Sequence, residues 1–515
     1  MITRRKKIKG IIIFSLLFIF ICLVKYPAMY NAPPNGIHDQ AQSDRFSIAV
    51  QYYDNGMDFF HPRTYDVQAD DRIVPVEFPI QAYLAALSGK IFGREAISTS
   101  FRIITLLIGY LGLLSLFLIA FNATGKIISS LFIPVVIFSS PVFSYYLCNY
   151  LPDAAALCSS FAGFYFFTLY LENTKFGTLV TSICILTLAA LMKTSVGVVL
   201  LSVMGYSLFT RIAYRKGVSL LQQCAFFLLP LIVLVSYNLY SKYLATTYHG
   251  TLFMMQTYPF ENWDERHLFF TYCLTTKFVN EYFTTIHYPV LGLIVLYGLV
   301  AIFKDKKQRV QLVLIALLFT GSLVLTFLFG HQLIHHNYYF ISIWFPAITI
   351  SLVLFFIPLQ KAIAYLPNRV PFNIALMCML VVLQYSGNLY LNKMIVVDEK
   401  TYPDVHDLTT DYWFAEGDSI LNSLSIGKDS TIAVVDEIAP NLSLCYFDRN
   451  GLVLPPGEWN NSVDIKHRMN LYGIHIMACK ASKIKAIDTA EPEKFTNTFT
   501  ELYNDNRCAV YCLKP

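Results

Sequence analysis

Charge is what this chain has least of. Only 14% of its 515 residues are charged and 55% are hydrophobic, with a mean hydropathy of +0.50, whereas soluble domains carry about 25% charge. That scarcity excludes a water-soluble globule. The excess of positive charge is also small, 39 Lys and Arg against 34 Asp and Glu, which points to a membrane surface and not to a nucleic-acid partner. No CxxC or Cys/His spacing of a zinc site is present. Of the 11 cysteines, Cys22, Cys158, Cys184, Cys224 and Cys378 lie in apolar runs, where a thiol acts as a small hydrophobe. Cys445, Cys479, Cys508 and Cys512 fall in the polar C-terminal stretch and leave room for a disulfide. No A-x-A cleavage site closes the first apolar run, which follows Arg4, Arg5, Lys6, Lys7 and Lys9. That run reads as a retained anchor and not as a signal peptide.

What is present is hydrophobic length. A bilayer core of roughly 30 Å needs about 20 apolar helical residues. Such runs occur at 10–27, 101–121, 127–145, 154–171, 176–192, 195–213, 219–240, 288–303, 310–329, 338–357 and 371–391. The pattern predicts an α-helical polytopic membrane protein with about eleven transmembrane helices. With the N-terminus inside, alternation puts about sixteen basic residues on inner connections and only Lys193 in the short outer turns. The expected topology is therefore a multi-pass protein of the plasma (inner) membrane with a cytoplasmic N-terminus. Residues 1–391 form the transmembrane domain, with outer loops at 28–100 and 241–287. Residues 392–515 lie on the outer, periplasmic side. This tail alternates at strand spacing in 431–435, 442–447 and 508–513, with helical stretches such as 412–425 between, as expected of a small soluble α/β domain.

Candidate chemistry concentrates on the expected outer side. Asp39 and Asp44 sit in HDQAQSD (38–44), just ahead of the helical spacing of Phe46, Ile48, Ala49 and Tyr52. Glu77 precedes a second such stretch, Tyr83 to Phe92. Asp153, in YLPD between apolar helices, needs a partner or an interfacial position because a charge at mid-bilayer costs roughly 2.5–3.5 kcal/mol. A plain helix cap is an equal alternative for it. Lys193 is a natural counter-charge or phosphate ligand, with snorkelling as the structural alternative. The turn 330–339 holds His331, His335 and His336 ahead of Tyr338 and Tyr339, which suits either hydrogen bonding to a ligand or a metal. The sequence assigns no cofactor with certainty and leaves room for a divalent metal.

Taken in order, these residues resemble the GT-C membrane glycosyltransferases of family 39, which includes protein O-mannosyltransferases and the aminoarabinose transferase acting on lipid A. The resemblance runs over roughly 35–345. It rests on Asp44-Arg45-Phe46-Ser47-Ile48-Ala49, on Glu77-Phe78-Pro79 leading to Lys90-Ile91-Phe92-Gly93, and on Arg102. It continues through Ser140-Pro141, Pro152-Asp153, Leu191-Met192-Lys193-Thr194 and His336-Asn337-Tyr338-Tyr339, with Pro346 in the helix that follows. It implies a GT-C fold and an enzyme that takes a sugar from a polyprenyl-phosphate carrier on the outer face and moves it to a lipid, glycan or protein acceptor. The first-loop acid carries over as the catalytic base, on Asp44 with Asp39 as the alternative, because Asp39-Gln40 and Asp44-Arg45 replace the Asp-Glu frequent in relatives.

A hydroxyl acceptor needs such a base, worth typically 10²–10⁴-fold. The departing lipid phosphate needs a cation, for which Lys193, Arg45 and Arg102 are candidates. A single displacement inverts the anomeric centre. Two other classes compete: a secondary transporter, which would carry its acids within the spans, and a surface-polysaccharide polymerase or ligase, for which 241–287 offers only Arg266 and His267.

Overall fold

The structure, a computed structural model, describes residues 3–215, 218–250, 257–305, 308–364, 370–396, 412–459, 461–487 and 492–514. The chain divides into two compact units. Unit 1 comprises Met1–Tyr30, Arg102–Leu239 and Gln256–Ile395, and unit 2 comprises Asn31–Phe101, Tyr240–Met255 and Val396–Pro515.

Among the described residues, nine helices are long and apolar enough to cross a membrane, or ten if one bent pair counts as a span. Each of the eleven expected runs falls on helix, and three of them depart from one plain span. The run 176–192 is a helix of 17 residues, Phe176–Met192, one residue shorter than the shortest of the nine. The run 127–145 is broken: the segment Ile127–Phe138 meets the helix Pro141–Leu147 at 83°. Local chemistry explains the break. Pro141 occupies the first turn of the second helix and Ser140 caps it, accepting from the Phe143 amide at 3.3 Å. The carbonyl of Phe138, left without a helical donor by the bend, accepts from the buried Lys25 ammonium at 2.9 Å, which also donates to Ser144 Oγ at 2.9 Å. A cation thus sits at a helix C-terminus, where the helix dipole favours it. The run 338–357 is also divided, into Tyr338–Ile343 and Phe345–Ala364.

Close helix crossings in unit 1 depend on small residues, as membrane packing does generally. Helix Ile97–Thr124 approaches helix Asp153–Asn173 so closely at Gly112 that an added Cβ would lie 2.5 Å from Cys158 backbone. Helix Asp153–Asn173 then returns through a short turn as Phe176–Met192. The residues at the start of the first and just past the end of the second are thereby brought to the same end of this hairpin.

Unit 2 contains a five-stranded sheet of β1 (Ile432–Val435), β2 (Gly451–Leu454), β3 (Ile476–Lys480), β4 (Phe499–Asn504) and β5 (Cys508–Leu513). Their order is β2-β1-β3-β5-β4. β1 runs parallel to β2 and β3, while β5 is antiparallel to β3 and β4. The expected strands at 431–435 and 508–513 are β1 and β5. Residues 442–447, expected as a strand, are the helix Leu442–Phe447. The parallel pairing of β1 and β2 demands a crossover between them, and this segment is that crossover. Its two-residue alternation of Leu442, Leu444 and Tyr446 gave the wrong period. The four tail cysteines are free, as are the others, so no disulfide forms there.

The first loop and the tail share this unit. Gly451 at the start of β2 donates to the Tyr65 carbonyl and accepts from the Val67 amide, each at 3.0 Å, so residues 65–67 lie along the outer edge of β2. Arg94 reinforces the union, donating to Asp54 at 2.9–3.0 Å and to Asp448 at 2.7–2.8 Å. The core beneath the sheet is apolar, formed by Ala433, Val435, Leu452, Leu454, Ile465 and Met477 with their neighbours.

Candidate functional site

The residues expected to carry chemistry fall into two groups, one in each unit. In unit 2, the helix Asp39–Asp54 holds Asp39, Asp44 and Arg45, and Glu77 lies just before the helix Ile80–Phe92. Asp39 is fully buried. Its Oδ1 accepts from the Gln40 amide at 2.8 Å and its Oδ2 from the Tyr412 hydroxyl at 2.7 Å. Arg45 is in an ion pair with Glu77, so these two of the predicted binding residues satisfy each other.

Asp44 has a different partner. Its Oδ1 accepts from the Asn441 side-chain amide at 2.9 Å. The Asn441 carbonyl oxygen in turn accepts from the backbone amides of Tyr65 and Asp66 at 3.1 and 3.2 Å. Asn441 is fully buried, so its orientation is set on one side by the loop backbone and on the other by the carboxylate. Burial pushes the Asp44 carboxyl up to about 6, while the Asn441 hydrogen bond and the charge of Arg45 pull it down. Asp66, on the far side of Asn441, is pushed up to about 7 by burial, with the Asp44 charge adding to the rise. Two carboxyls that titrate near neutrality, spaced by an amide, are suited to proton transfer.

In unit 1, Asp153 opens its helix, but Pro152 is the cap residue and no side-chain cap hydrogen bond forms. The Asp153 carboxylate is instead buried 3.5 Å from the Lys193 ammonium, as the hairpin geometry requires. Lys193 Nζ also lies 4.4 Å from the centre of the Tyr339 ring and 5.6 Å from that of Tyr338, within cation–π range. The predicted residues Asp153, Lys193, Tyr338 and Tyr339 are therefore brought together. His336 stacks on Tyr338 with ring centres 5.2 Å apart. Burial, with Lys277, His335, Lys193 and His331 around it, lowers its imidazole to about 3, so it stays neutral at physiological pH. His335 is exposed at the end of the helix Gly330–His335. Arg102 is occupied locally, donating to the Cys148 carbonyl at 2.8 Å and lying over the Tyr150 ring at 4.4 Å.

Sequence reasoning missed several members of this group. Asn337 accepts from the Tyr146 hydroxyl and donates to Glu281, both at 2.7 Å. Burial raises the Glu281 carboxyl, against the opposing Lys277 charge and the Asn337 bond. A Lys and a Glu four residues apart in an otherwise apolar helical stretch was the available signal for this pair. In unit 2 the missed residues are Asn441, Tyr412 and Asp66. Among the described residues, the group able to hold a metal ion is Glu261, Glu265 and His331, whose ligand atoms lie within 4.8 Å of one another. Glu265 and His331 are already paired at 2.8 Å.

With this geometry in hand, the chain can be set beside known proteins. Residues 74–239, about a third of the chain, match the family model described as dolichyl-phosphate-mannose-protein mannosyltransferase. By sequence, none of the curated proteins compared gives a significant match. The fold matches ArnT from Cupriavidus metallidurans bound to undecaprenyl phosphate, with a TM-score of 0.57, 11% identity and coverage of 97% of each chain. It also matches the Archaeoglobus fulgidus oligosaccharyltransferase in its apo form, with a TM-score of 0.56, 12% identity and coverage of 99% of this chain and 74% of that one. For the mycobacterial arabinofuranosyltransferase AftD the TM-score is 0.57 at 11% identity, covering 98% of this chain and 40% of that one. The fold is the GT-C architecture expected from the sequence.

Proposed function

We propose that the chain is a membrane glycosyltransferase that takes a sugar from a polyprenyl-phosphate carrier and transfers it to an acceptor hydroxyl in a single inverting displacement. The observation that carries this reading is Asp44, a carboxylate in the first loop whose proton affinity is raised to about 6 and whose hydrogen-bonding partner is a neutral amide. Such a group is ionised at neutral pH yet basic enough to accept a proton in the transition state.

In the proposed reaction the acceptor oxygen attacks the anomeric carbon and its proton passes to Asp44. The bond from that carbon to the carrier phosphate oxygen breaks, and the electron pair leaves with the phosphate. The carrier phosphate is already a stable anion, so no general acid is required. Within unit 1, Lys193 is the cation suited to a phosphate anion, with the faces of Tyr338 and Tyr339 holding the ammonium and Asp153 balancing it when no anion is bound. Glu77 and Arg45 support the loop that presents Asp44. The family match over 74–239 and the undecaprenyl-phosphate-bound structure of the similarly folded ArnT support a lipid-phosphate donor. The basic connections predicted from the sequence support a cytoplasmic N-terminus, with transfer at the opposite face.

The test is incubation of purified protein with a panel of polyprenyl-phosphate sugars, reading release of the carrier phosphate. Turnover on at least one carrier is expected. Folded protein that releases no carrier from any of them would overturn the reading.

A further inference from the structure

Unit 1 contains a cavity of about 380 Å³ that none of the proposed chemistry uses. Its lining brings together the start of helix Arg4–Lys25, the connection after helix Ile97–Thr124, and the facing ends of helices Phe345–Ala364 and Val370–Ile395. The polar lining is uneven in sign. Lys6, Lys9 and Lys126 supply three cations, Gln360 and Asn373 supply amides, and no acidic residue is among the lining residues. Four isoleucines form the apolar wall. The volume lies within the range of small-molecule sites.

A row of lysines at one end of a helical bundle is ordinary for a membrane protein and by itself says nothing of a ligand. Gln360 supplies the second, independent observation. Its side chain is 1% exposed, and both its amide nitrogen and its amide oxygen lack a hydrogen-bond partner among the described residues. Buried polar groups in folded proteins are nearly always partnered. An amide orphaned at both atoms, in the wall of a cavity rimmed by lysines, asks for a ligand that accepts from nitrogen, donates to oxygen and is anionic.

We propose that this cavity binds the head group of an anionic lipid, a phosphodiester carrying free hydroxyls. The phosphate oxygens face Lys6, Lys9 and Lys126 and accept from the Gln360 amide nitrogen. A head-group hydroxyl donates to the Gln360 oxygen, and the isoleucine wall meets the glycerol and upper acyl carbons. This chemistry separates the site from a general basic surface, which would not distinguish one anionic head group from another.

The experiment is native mass spectrometry of the full chain in detergent, titrated separately with phosphatidylglycerol, phosphatidic acid and phosphatidylcholine, with inorganic phosphate as a competitor. Wild type is expected to retain one phosphatidylglycerol in preference to phosphatidylcholine. Each of Lys6→Ala, Lys9→Ala and Lys126→Ala should weaken retention about fivefold, the equivalent of about 1 kcal/mol per basic residue at an anionic surface. Gln360→Leu, which fills the same space without a polar atom, should weaken phosphatidylglycerol further than phosphatidic acid, which lacks the hydroxyls. Lys361→Ala, a neighbouring charge outside the lining, should leave retention unchanged. Melting temperatures in lipid-free detergent check that each variant is folded. Equal retention of the two lipids by wild type, or wild-type retention by the triple lysine variant, would overturn the proposal. Displacement of the lipid by inorganic phosphate would assign the site to a soluble anion and overturn the lipid source.

Discussion

Asp153 in unit 1 faces the Lys193 ammonium at 3.5 Å, whereas Asp44 in unit 2 faces the neutral Asn441 amide at 2.9 Å. Both carboxylates were candidates from sequence and both lie near the start of a helix, Asp153 at its first residue and fully buried, Asp44 in the second turn and partly buried. What differs is the charge of the partner. A carboxylate with a buried cation beside it has its charge already balanced, and its role is to hold that cation in place. A carboxylate whose hydrogen-bond partner is an amide, and whose burial outweighs the pull of the neighbouring Arg45, keeps its affinity for a proton. In the proposed reaction this difference is what assigns the pair to binding and Asp44 to proton transfer, and the assignment can be broken in several places.

The largest effect is expected at Asp44. Asp44→Asn keeps the shape and can still meet Asn441 after an amide flip, but cannot take a proton. Sugar transfer should fall 10²–10⁴-fold with membrane expression and melting temperature unchanged. Transfer at the wild-type rate would remove Asp44 as the base and leave Asp39 to be tested.

At Lys193 the expected loss is one of stability as well as turnover. Lys193→Met leaves the Asp153 carboxylate buried and unbalanced, and breaking a buried pair from one side typically costs about 3–5 kcal/mol. The double variant Asp153→Asn/Lys193→Met should recover most of that in a thermal or denaturant melt while staying unable to bind carrier phosphate. If the single variant melts like wild type, the two residues are not an energetic pair. A smaller effect belongs to Tyr339→Leu, which removes the nearer ring face from the ammonium. A cation–π contact of about 0.5–2 kcal/mol corresponds to a several-fold rise in KM for the carrier with kcat retained, and an unchanged KM would remove the ring from the account of Lys193.

How much of this was legible in the sequence follows from the range of the forces involved. The spans were legible because burial in lipid demands long apolar runs and nothing else. The break at Ser139-Ser140-Pro141 was hidden inside such a run, since the ammonium that satisfies it comes from Lys25, more than a hundred residues away. Residues 442–447 were misread because a six-residue segment fits either period, and only the parallel pairing of β1 with β2 decides between them. The acids at 39, 44 and 153 stood out as charges near apolar helices. Asn441 could not stand out, being a neutral residue in a polar stretch almost 400 positions from Asp44. The same holds for the edge pairing of Tyr65 and Val67 with Gly451, which puts the first loop and the tail in one unit.

Asn441 also supplies the smallest and most specific test. The Asp44 carboxyl lies at about 6, above its ordinary 3.8. As a base it must be ionised, so kcat/KM should rise about tenfold per pH unit up to about 6 and level off above it. The stability sign is opposite to that of a salt-bridged acid. The folded state holds the Asp44 proton more tightly than the unfolded chain, so this group favours folding below 3.8, and the advantage is lost as pH rises through about 6. Asn441→Leu removes the donor that stabilises the ionised form and leaves burial opposed only by the Arg45 charge. The acid limb of the rate profile should therefore move to higher pH with the plateau largely kept. Loss of the plateau with no shift of the limb would mean that Asn441 only supports the loop backbone through Tyr65 and Asp66. A shifted limb with the plateau intact ties the titration to the one bond that distinguishes Asp44 from Asp153.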